Sequence, residues 1–492
     1  MKNFKSITLI LFLLFSFGSM SAQVTLYVDS LKMDVYTPDG DTSTNRPLIL
    51  LSHAGSYLPP SLTNAPFGTK SDSFLVEMCT QFAKRGFVAV AFTYRLGWNP
   101  QAPDQETRAS TIIQAVYKAS HDSKALIRYF RKNAATYNVD TDKIILGGSN
   151  SGAYHALLAA NLNRPEELSV FKFLDSNGDP YIDTTLWGNF DGENGALSYY
   201  NHPGYSSEFD IVLSLGGDVG DTSWVDPGET PVIAFHGVND ASPYETAVVT
   251  TGANQIAIIE VSGPGDFMPY VNQYGNNDVF SGGGFCPGPQ STDGVVYEGN
   301  YPFYGANAGF EPYNWYATNP PNNPTASKSR ALAYIDTIMD YSIPRIYKAF
   351  FDNNYMDACP QTGGVLTEDF NNVNVQRNVT YAWNWSIFPT AEDTSGTVVG
   401  ANGINDPIND QTISMNIYPN PAHSTIRVEL NDNIHTIQSV ELYDVAGKLL
   451  RQENVGNLSQ YTLNRNGEST GIYFLSVTLS NGKSGFKRVV FE

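Results

Sequence analysis

From residue 46 onward the chain switches between two hydrophobic periods. Arg46-Pro47 leads into Leu48-Ile49-Leu50-Leu51, an unbroken apolar run between turn residues, the pattern of a strand buried on both faces. Phe74 to Lys84 carries apolar residues at helical spacing and stops before Gly86, which predicts a helix. Phe87 to Phe92 predicts the next strand, and His121 to Ala135 an amphipathic helix with acids at its start and bases at its end. Lys143 to Leu146 reads as a strand running into Gly147-Gly148, and Val232 to Phe235 as another. Strands alternating with helices in this order predict an α/β class and a doubly wound, mostly parallel sheet.

Residues 262–330 break the rhythm. They are rich in Gly, Pro, Asn and Tyr, with little period of either kind, and read as a long loop or cap. Ser329 to Phe350 predicts a closing helix. Residues 359–412 are polar and irregular, as in a linker holding a short β segment. From 413 to 492 short alternating strands return, among them Ile426–Leu430 and Ser439–Tyr443, the pattern of a small all-β sandwich.

Composition adds the compartment. Lys2 and Lys5 precede an apolar run from Ile7 to Phe17, and Ser19, Ser21 and Ala22 follow, so residues 1–22 read as a signal peptide cut near Ala22. The body then occupies 23–358. No other stretch is apolar for the length of a bilayer, so no membrane span is expected in the mature protein. A net charge of −20 excludes a nucleic-acid or anionic-lipid partner, since phosphates need a basic surface. Of the three cysteines, Cys286 and Cys359 sit in Pro/Gly-rich loops and could pair, whereas Cys79 falls in an apolar helical pattern as a buried thiol.

The last eighty residues carry three ordered motifs. Met415-Asn416-Ile417-Tyr418-Pro419-Asn420-Pro421-Ala422 opens the segment, Tyr443-Asp444-Val445-Ala446-Gly447-Lys448 lies in its middle, and Gly471-Ile472-Tyr473-Phe474-Leu475 with Lys487-Arg488-Val489-Val490 closes it. Together they resemble the C-terminal sorting domains of type IX secretion. The resemblance implies passage through the periplasm, handling by the outer-membrane machinery, removal of the domain, and release or surface anchoring.

The body resembles secreted carboxylesterases of the α/β-hydrolase fold. Leu51-Ser52-His53-Ala54-Gly55-Ser56 is similar to their His-Gly-Gly loop, in which small residues let backbone N–H groups approach a substrate carbonyl. This assigns His53, Ala54, Gly55 and Ser56 to an oxyanion loop. Phe82–Phe87 and Thr93–Gly97 add to the likeness. After the strand at 143–146, Gly148-Ser149-Asn150-Ser151-Gly152 matches the G-x-S-x-G elbow with Asn150 at the nucleophile position. An amide cannot attack an ester as a serine alkoxide does. Ser149 and Ser151 stay open as alternative nucleophiles, because small residues flank both. His236-Gly237-Val238-Asn239-Asp240 resembles the strand end that supplies the triad acid, so Asp240 is the acid candidate.

The base is the gap. The histidines are His53, His121, His155, His202, His236, His423 and His435, and none lies between Asp240 and the sorting domain. Where related esterases carry G-G-G-H-x-x-P, this chain has Gly282-Gly283-Gly284-Phe285-Cys286-Pro287, which puts Phe285 at the base position. Without an imidazole a serine hydroxyl lacks an efficient proton acceptor near pH 7. His155 is expected to pack in the elbow helix, and His202 is the candidate for a relocated base.

Asp175, Asn177, Asp179 and Asp183 place oxygen ligands at alternating positions, as a structural calcium site would, without the EF-hand glycine and final acid. No other cofactor is expected. Two readings follow: a non-catalytic descendant of an esterase that binds a small-molecule, sugar or ester ligand outside the cell, and an active serine esterase working through Ser149 or Ser151. Tyr304, Tyr313, Trp315 and Tyr316 are candidates to line the ligand surface.

Overall fold

The computed structural model describes residues 27–63, 65, 67–251, 255–283, 285–309, 328–351, 370–386, 397–398, 415–419, 422–430, 435–443, 449–469, 471–481 and 484–491. The signal-peptide expectation for 1–22, and Tyr313, Trp315, Tyr316 and Cys359, lie outside them. The chain divides into two compact units, one spanning Ser30–Trp385 and one built on Asp393–Glu492.

The first unit is laid out in chain order as β1 (Tyr27–Pro38), β2 (Arg46–Ser52), α1 (Pro60–Thr63), α2 (Ser73–Lys84), β3 (Val88–Phe92), α3 (Gln105–Lys132), α4 (Ala134–Tyr137), β4 (Val139–Ser149) and α5 (Ser151–Asn161). There follow α6 (Thr184–Trp187), β5 (Ile211–Leu215), β6 (Val232–Gly237), the hairpin β7 (Ala247–Thr251) and β8 (Ile256–Val261), α7 (Pro264–Gln273), β9 (Asn300–Phe303), α8 (Lys328–Phe351) and β10 (Val373–Ser386). The main sheet runs β10-β1-β3-β2-β4-β5-β6-β9, and Thr397–Val398 form a two-residue strand, β11. Strands β3, β2, β4, β5, β6 and β9 are parallel, and β1 is antiparallel to β3. This is the doubly wound sheet predicted from the strand–helix alternation.

Apolar runs in the central strands serve two faces at once. Strand β2 sends Ile49 and Leu51 into one cluster, with Phe74, Phe82, Ile335 and Ile338 from α2 and α8. It sends Leu48 and Leu50 into the other, with Leu126, Phe130, Leu157 and Phe267 from α3, α5 and α7. Alternating side chains on a strand buried on both faces leave no polar position, which is why these strands read as unbroken hydrophobic runs.

Two stretches differ from expectation. The long 262–330 segment contains α7 and β9, the last strand of the sheet. Helix α7 starts on Gly263-Pro264 and carries Pro269 inside, and β9 includes Pro302, so breaker residues mask both. The 359–412 stretch, expected as a linker with a short β segment, contains β10, a 14-residue edge strand of the main sheet. An edge strand faces water, so Asn374, Gln376, Arg377 and Asn378 interrupt its apolar pattern. Polar contacts seat it instead: Arg377 donates to Asp34 at 2.8 Å and Asn384 to Asp122 at 2.9 Å.

Cys79 is a free, buried thiol, and Cys286 is disulfide-bonded. No helix among the described residues is long and apolar enough to cross a membrane. The second unit holds β12 (Met415–Tyr418), β13 (Thr425–Leu430), β14 (Ile437–Tyr443), β15 (Leu449–Leu458), β16 (Gln460–Asn464), β17 (Gly471–Leu479) and β18 (Ser484–Phe491). They form a three-stranded sheet, β12-β13-β16, and a four-stranded sheet, β15-β14-β17-β18. Ile426, Val428, Val440, Leu442, Leu475 and Val477 fill one core between them, as the period-2 pattern predicted.

Candidate functional site

At its C-terminal end β4 turns sharply into α5, and Asn150 occupies the apex with φ 51° and ψ −113°. Non-glycine residues seldom hold a positive φ, and asparagine tolerates it better than most. The turn is held by the Asn150 N–H, which donates to the Leu215 carbonyl on β5 at 2.8 Å. Its own carbonyl accepts from Ala153 and Tyr154, starting the helix. The flanking glycines are a packing requirement. A Cβ on Gly148 would stand 2.4 Å from Ser52 Oγ, and one on Gly152 would stand 2.5 Å from the Ser52 carbonyl oxygen. The elbow is pressed onto the end of β2, which leads into residues 53–56, the expected oxyanion loop.

Both neighbouring serines are buried, Ser149 at 3% exposure and Ser151 at 0%, whereas Asn150 is partly exposed. Ser151 Oγ accepts from the Ser56 N–H at 3.2 Å and pairs with Tyr94 OH at 3.0 Å. The Tyr94 hydroxyl hydrogen goes to the His53 carbonyl at 2.8 Å, so Ser151 must donate to Tyr94. The Ser151 proton thus rests on a phenol, not on a base. Burial also raises the Tyr94 pKa above its usual value, which keeps that phenol neutral.

Residues 53–56 wrap over the elbow. Gly55 has φ 133°, and Ser56 and Tyr57 are left-handed as well. A Cβ on Gly55 would come within 3.1 Å of Gly68 Cα, so the loop needs its glycine. Tyr57 OH donates to the Ser151 carbonyl at 2.6 Å, tying loop to helix. Among the described residues the N–H groups of Gly55 and Ser151 have no acceptor. The His53 ring is buried, stacks on Tyr94 at 4.5 Å between centroids and contacts the Ala54 carbonyl through Nδ1. Burial lowers its pKa to about 4, so it stays neutral.

Asp240 follows β6 in a tight turn, its N–H bonded to the Gly237 carbonyl and its Oδ1 accepting from Ala241 N. Its Oδ2 lies 3.7 Å from where a Gly216 Cβ would be. Gly216 follows Leu215, the residue that holds the Asn150 N–H, so the acid turn borders the elbow. The segment after β9 lies along the same turn: Val238 N donates to the Phe303 carbonyl at 3.1 Å, and Asn239 N to the Ala308 carbonyl at 2.7 Å. Ala308 is buried, and Gly309 packs on the Asn239 backbone.

Phe285 lies against α8. It precedes β9, and its ring lies 5.2 Å from the Arg345 guanidinium on α8, which also donates to the Cys286 carbonyl. His155 packs in α5 as expected, fully buried, with Nε2 2.9 Å from Ser52 Oγ. Burial, helped by His53, lowers its pKa to about 3. His202 lies against Tyr129, its Nε2 at the carbonyl of Tyr381 on edge strand β10. His236 is buried behind the acid turn beside Asp218, Ser242 and Tyr154. Sequence reading missed this cluster: Asp218 and Ser242 belong to no motif, and only the turn brings them to His236.

The acidic segment 175–183 forms a self-contained turn. Asp175 Oδ1 accepts the N–H groups of Asn177 and Asp179, each at 2.8 Å, and Asp183 caps α6 through Thr185 N. These carboxylates therefore already have backbone partners. Among the described residues no three His, Cys, Asp or Glu side chains gather as a metal site would require. Tyr304 is 43% exposed and donates to the Gln290 carbonyl. A cavity of about 260 Å³, lined by Asp142, Lys143, Asp210, Ile211, Val279, Ala349 and Phe350, lies towards the opposite end of β4 from Asn150.

Residues 416–492 match the family described as a secretion system C-terminal sorting domain. Residues 33–186, which hold residues 53–56 and the elbow, match the family BD-FAE. Among solved structures, native esterase 2 of Thermogutta terrifontis, a thermophilic esterase from a Planctomycetes species, is 18% identical over 63% of this chain and 86% of that one, with a TM-score of 0.34. Its propionate-bound form is 17% identical over 63% and 88%, with a TM-score of 0.35. Its paraoxon-phosphorylated form is 21% identical over 44% and 68%, with a TM-score of 0.27. No curated protein sequence matches the chain. The protein thus joins an esterase-like, α/β-hydrolase-like body to a sorting domain handled by the type IX secretion machinery, which directs it to the surface or beyond.

Proposed function

We propose that the body binds a small carbonyl-bearing ligand, such as a sugar ester, outside the cell without hydrolysing it. One observation carries this reading: the residue at the elbow apex is Asn150, an amide with positive φ, where an esterase holds its nucleophile. The neighbouring residues support it. Ser149 and Ser151 are buried, and the Ser151 hydrogen is committed to Tyr94. The N–H groups of Gly55 and Ser151 remain as donors for a carbonyl oxygen. Substrate recognition of this kind can outlast the loss of chemistry, since the oxyanion donors are backbone groups.

No histidine lies between Asp240 and the sorting domain, so no imidazole can meet the acid from later in the body. Among the described residues, 303–309 flank the acid turn through contacts to Val238 and Asn239. On this reading the N-terminal leader and the sorting domain are removed during export, and the body alone meets the ligand.

Intact-mass measurement after exposure to a fluorophosphonate probe tests the reading. No adduct is expected at any serine. An adduct that disappears on Ser149→Ala or Ser151→Ala would establish the active-esterase alternative instead.

A further inference from the structure

The cavity of about 260 Å³ at the foot of β4 takes no part in the site above. Its lining is of two kinds. Ile211, Val279, Ala349 and Phe350 supply apolar surface, and Asp142, Asp210 and Lys143 supply charge. Lys143 and Asn150 stand seven residues apart, roughly 23 Å of strand rise. The cavity and the elbow are therefore separate places.

The two carboxylates are held where they are. Asp210 is locked to β4 twice: its N–H donates to the Ile144 carbonyl, and its Oδ2 accepts from the Ile144 N–H, each at 2.8 Å. The Asp142 N–H donates to Asp140 Oδ1 at 3.0 Å, which closes a tight turn. Nearby cations are committed to other groups. Lys143 Nζ donates to Asp140 Oδ2 at 2.6 Å and lies 5.3 Å over the Phe351 ring. Arg131 donates to the carbonyls of Ser206, Glu208 and Thr141. Among the described residues neither Asp142 nor Asp210 forms an ion pair.

Fixed, unneutralised carboxylates beside an apolar and aromatic lining favour a guest with a positive head and an apolar body. Because the carboxylates are already in place, little ordering is needed to bind it. A bare metal ion fits less well. Calcium takes about six to eight oxygen ligands, and the apolar part of the lining offers none. Among the described residues no third acid, His or Cys joins the pair. Size adds a limit, since sites for drug-sized molecules span roughly 300–1,000 Å³, so the guest here is smaller.

We propose that this cavity binds a small organic ammonium ion, its charged head facing Asp142 and Asp210 and its apolar body against Ile211, Val279 and Phe350. The proposal stands apart from the reading of Asn150, and either can fail without the other.

Calorimetric titration of phenethylammonium into the full-length protein at neutral pH and low salt tests it, with phenethyl alcohol as the neutral match in shape. The amine should saturate with a Kd of about 1 mM or tighter. The alcohol should bind about tenfold more weakly or worse, and added salt should weaken the amine alone. Asp210→Asn keeps an oxygen for the Ile144 N–H and removes one charge. It should weaken the amine about tenfold and leave the alcohol unchanged. A lysine methylamide acetylated at its α-amino group, titrated alongside, separates two sources of the same head group. Tighter binding than phenethylammonium assigns it to a polypeptide side chain, weaker binding to a free amine, and either order supports the site. No saturation by any cation, equal affinity for amine and alcohol, or amine binding untouched by both Asp210→Asn and Asp142→Asn overturns the proposal. The wild-type comparison of amine with alcohol decides it even where a variant fails to fold.

Discussion

Gly148 and Gly152 stand where a methyl group would enter the space of Ser52, and they set the register that leaves Asn150 at the apex. That register was legible in sequence, because two glycines four residues apart after an apolar strand leave one central position. The far flank of the acid turn was not legible: glycine-rich similarity singled out Phe285, and no motif marks 303–309, whose carbonyls meet Val238 and Asn239. Similarity in a loop carries no information about which strand follows it, and here β9 comes after Phe285. Gly152→Ala is expected to cost about 3 kcal/mol in chemical denaturation, because its Cβ would meet the Ser52 backbone rather than a movable side chain. An unchanged midpoint would show that the elbow can move off β2. His155 supplies a pH test. Its pKa falls from 6.5 to about 3 on burial, so the unfolded chain binds the extra proton, and its share of stability is present above 6.5 and lost as pH falls towards 3. Between pH 6.5 and 5 the wild type should lose about 1.4 kcal/mol per pH unit more than His155→Gln. Parallel slopes would place the imidazole in water.

The central strands were readable because burial on both faces makes them uniformly apolar, whereas β9 and β10 were hidden for opposite reasons. Strand β9 is four residues long with a proline inside, and β10 is long but polar on its open side. What anchors β10 is a buried charge cluster that no pattern announces. Asp122 on α3 accepts Arg95 N at 2.8 Å, Arg95 Nε at 2.9 Å and Asn384 Nδ2 at 2.9 Å, with both charged side chains fully buried. Removing one partner leaves the other charge stranded. Asp122→Ala should therefore lower the free energy of unfolding by about 3–5 kcal/mol and deprotect β10 amides to hydrogen exchange. A loss below about 1 kcal/mol, with β10 still protected, would mean that strand pairing alone seats the edge.

For the whole molecule, export and chemistry are written in different parts of the chain. The sorting domain was legible from three ordered motifs and forms its own core within the second unit. On the proposed reading, the body keeps the sheet, the oxyanion loop, the elbow and the acid turn of an esterase and lacks only the atoms that would react. A rate measurement exposes such a departure more directly than any comparison of folds. The decisive experiment is p-nitrophenyl acetate hydrolysis at neutral pH by the purified wild-type protein beside its Ser149→Ala and Ser151→Ala variants. Wild type and both variants should match buffer. Wild-type turnover that is abolished by Ser149→Ala or Ser151→Ala would contradict a ligand-binding body without hydrolytic chemistry.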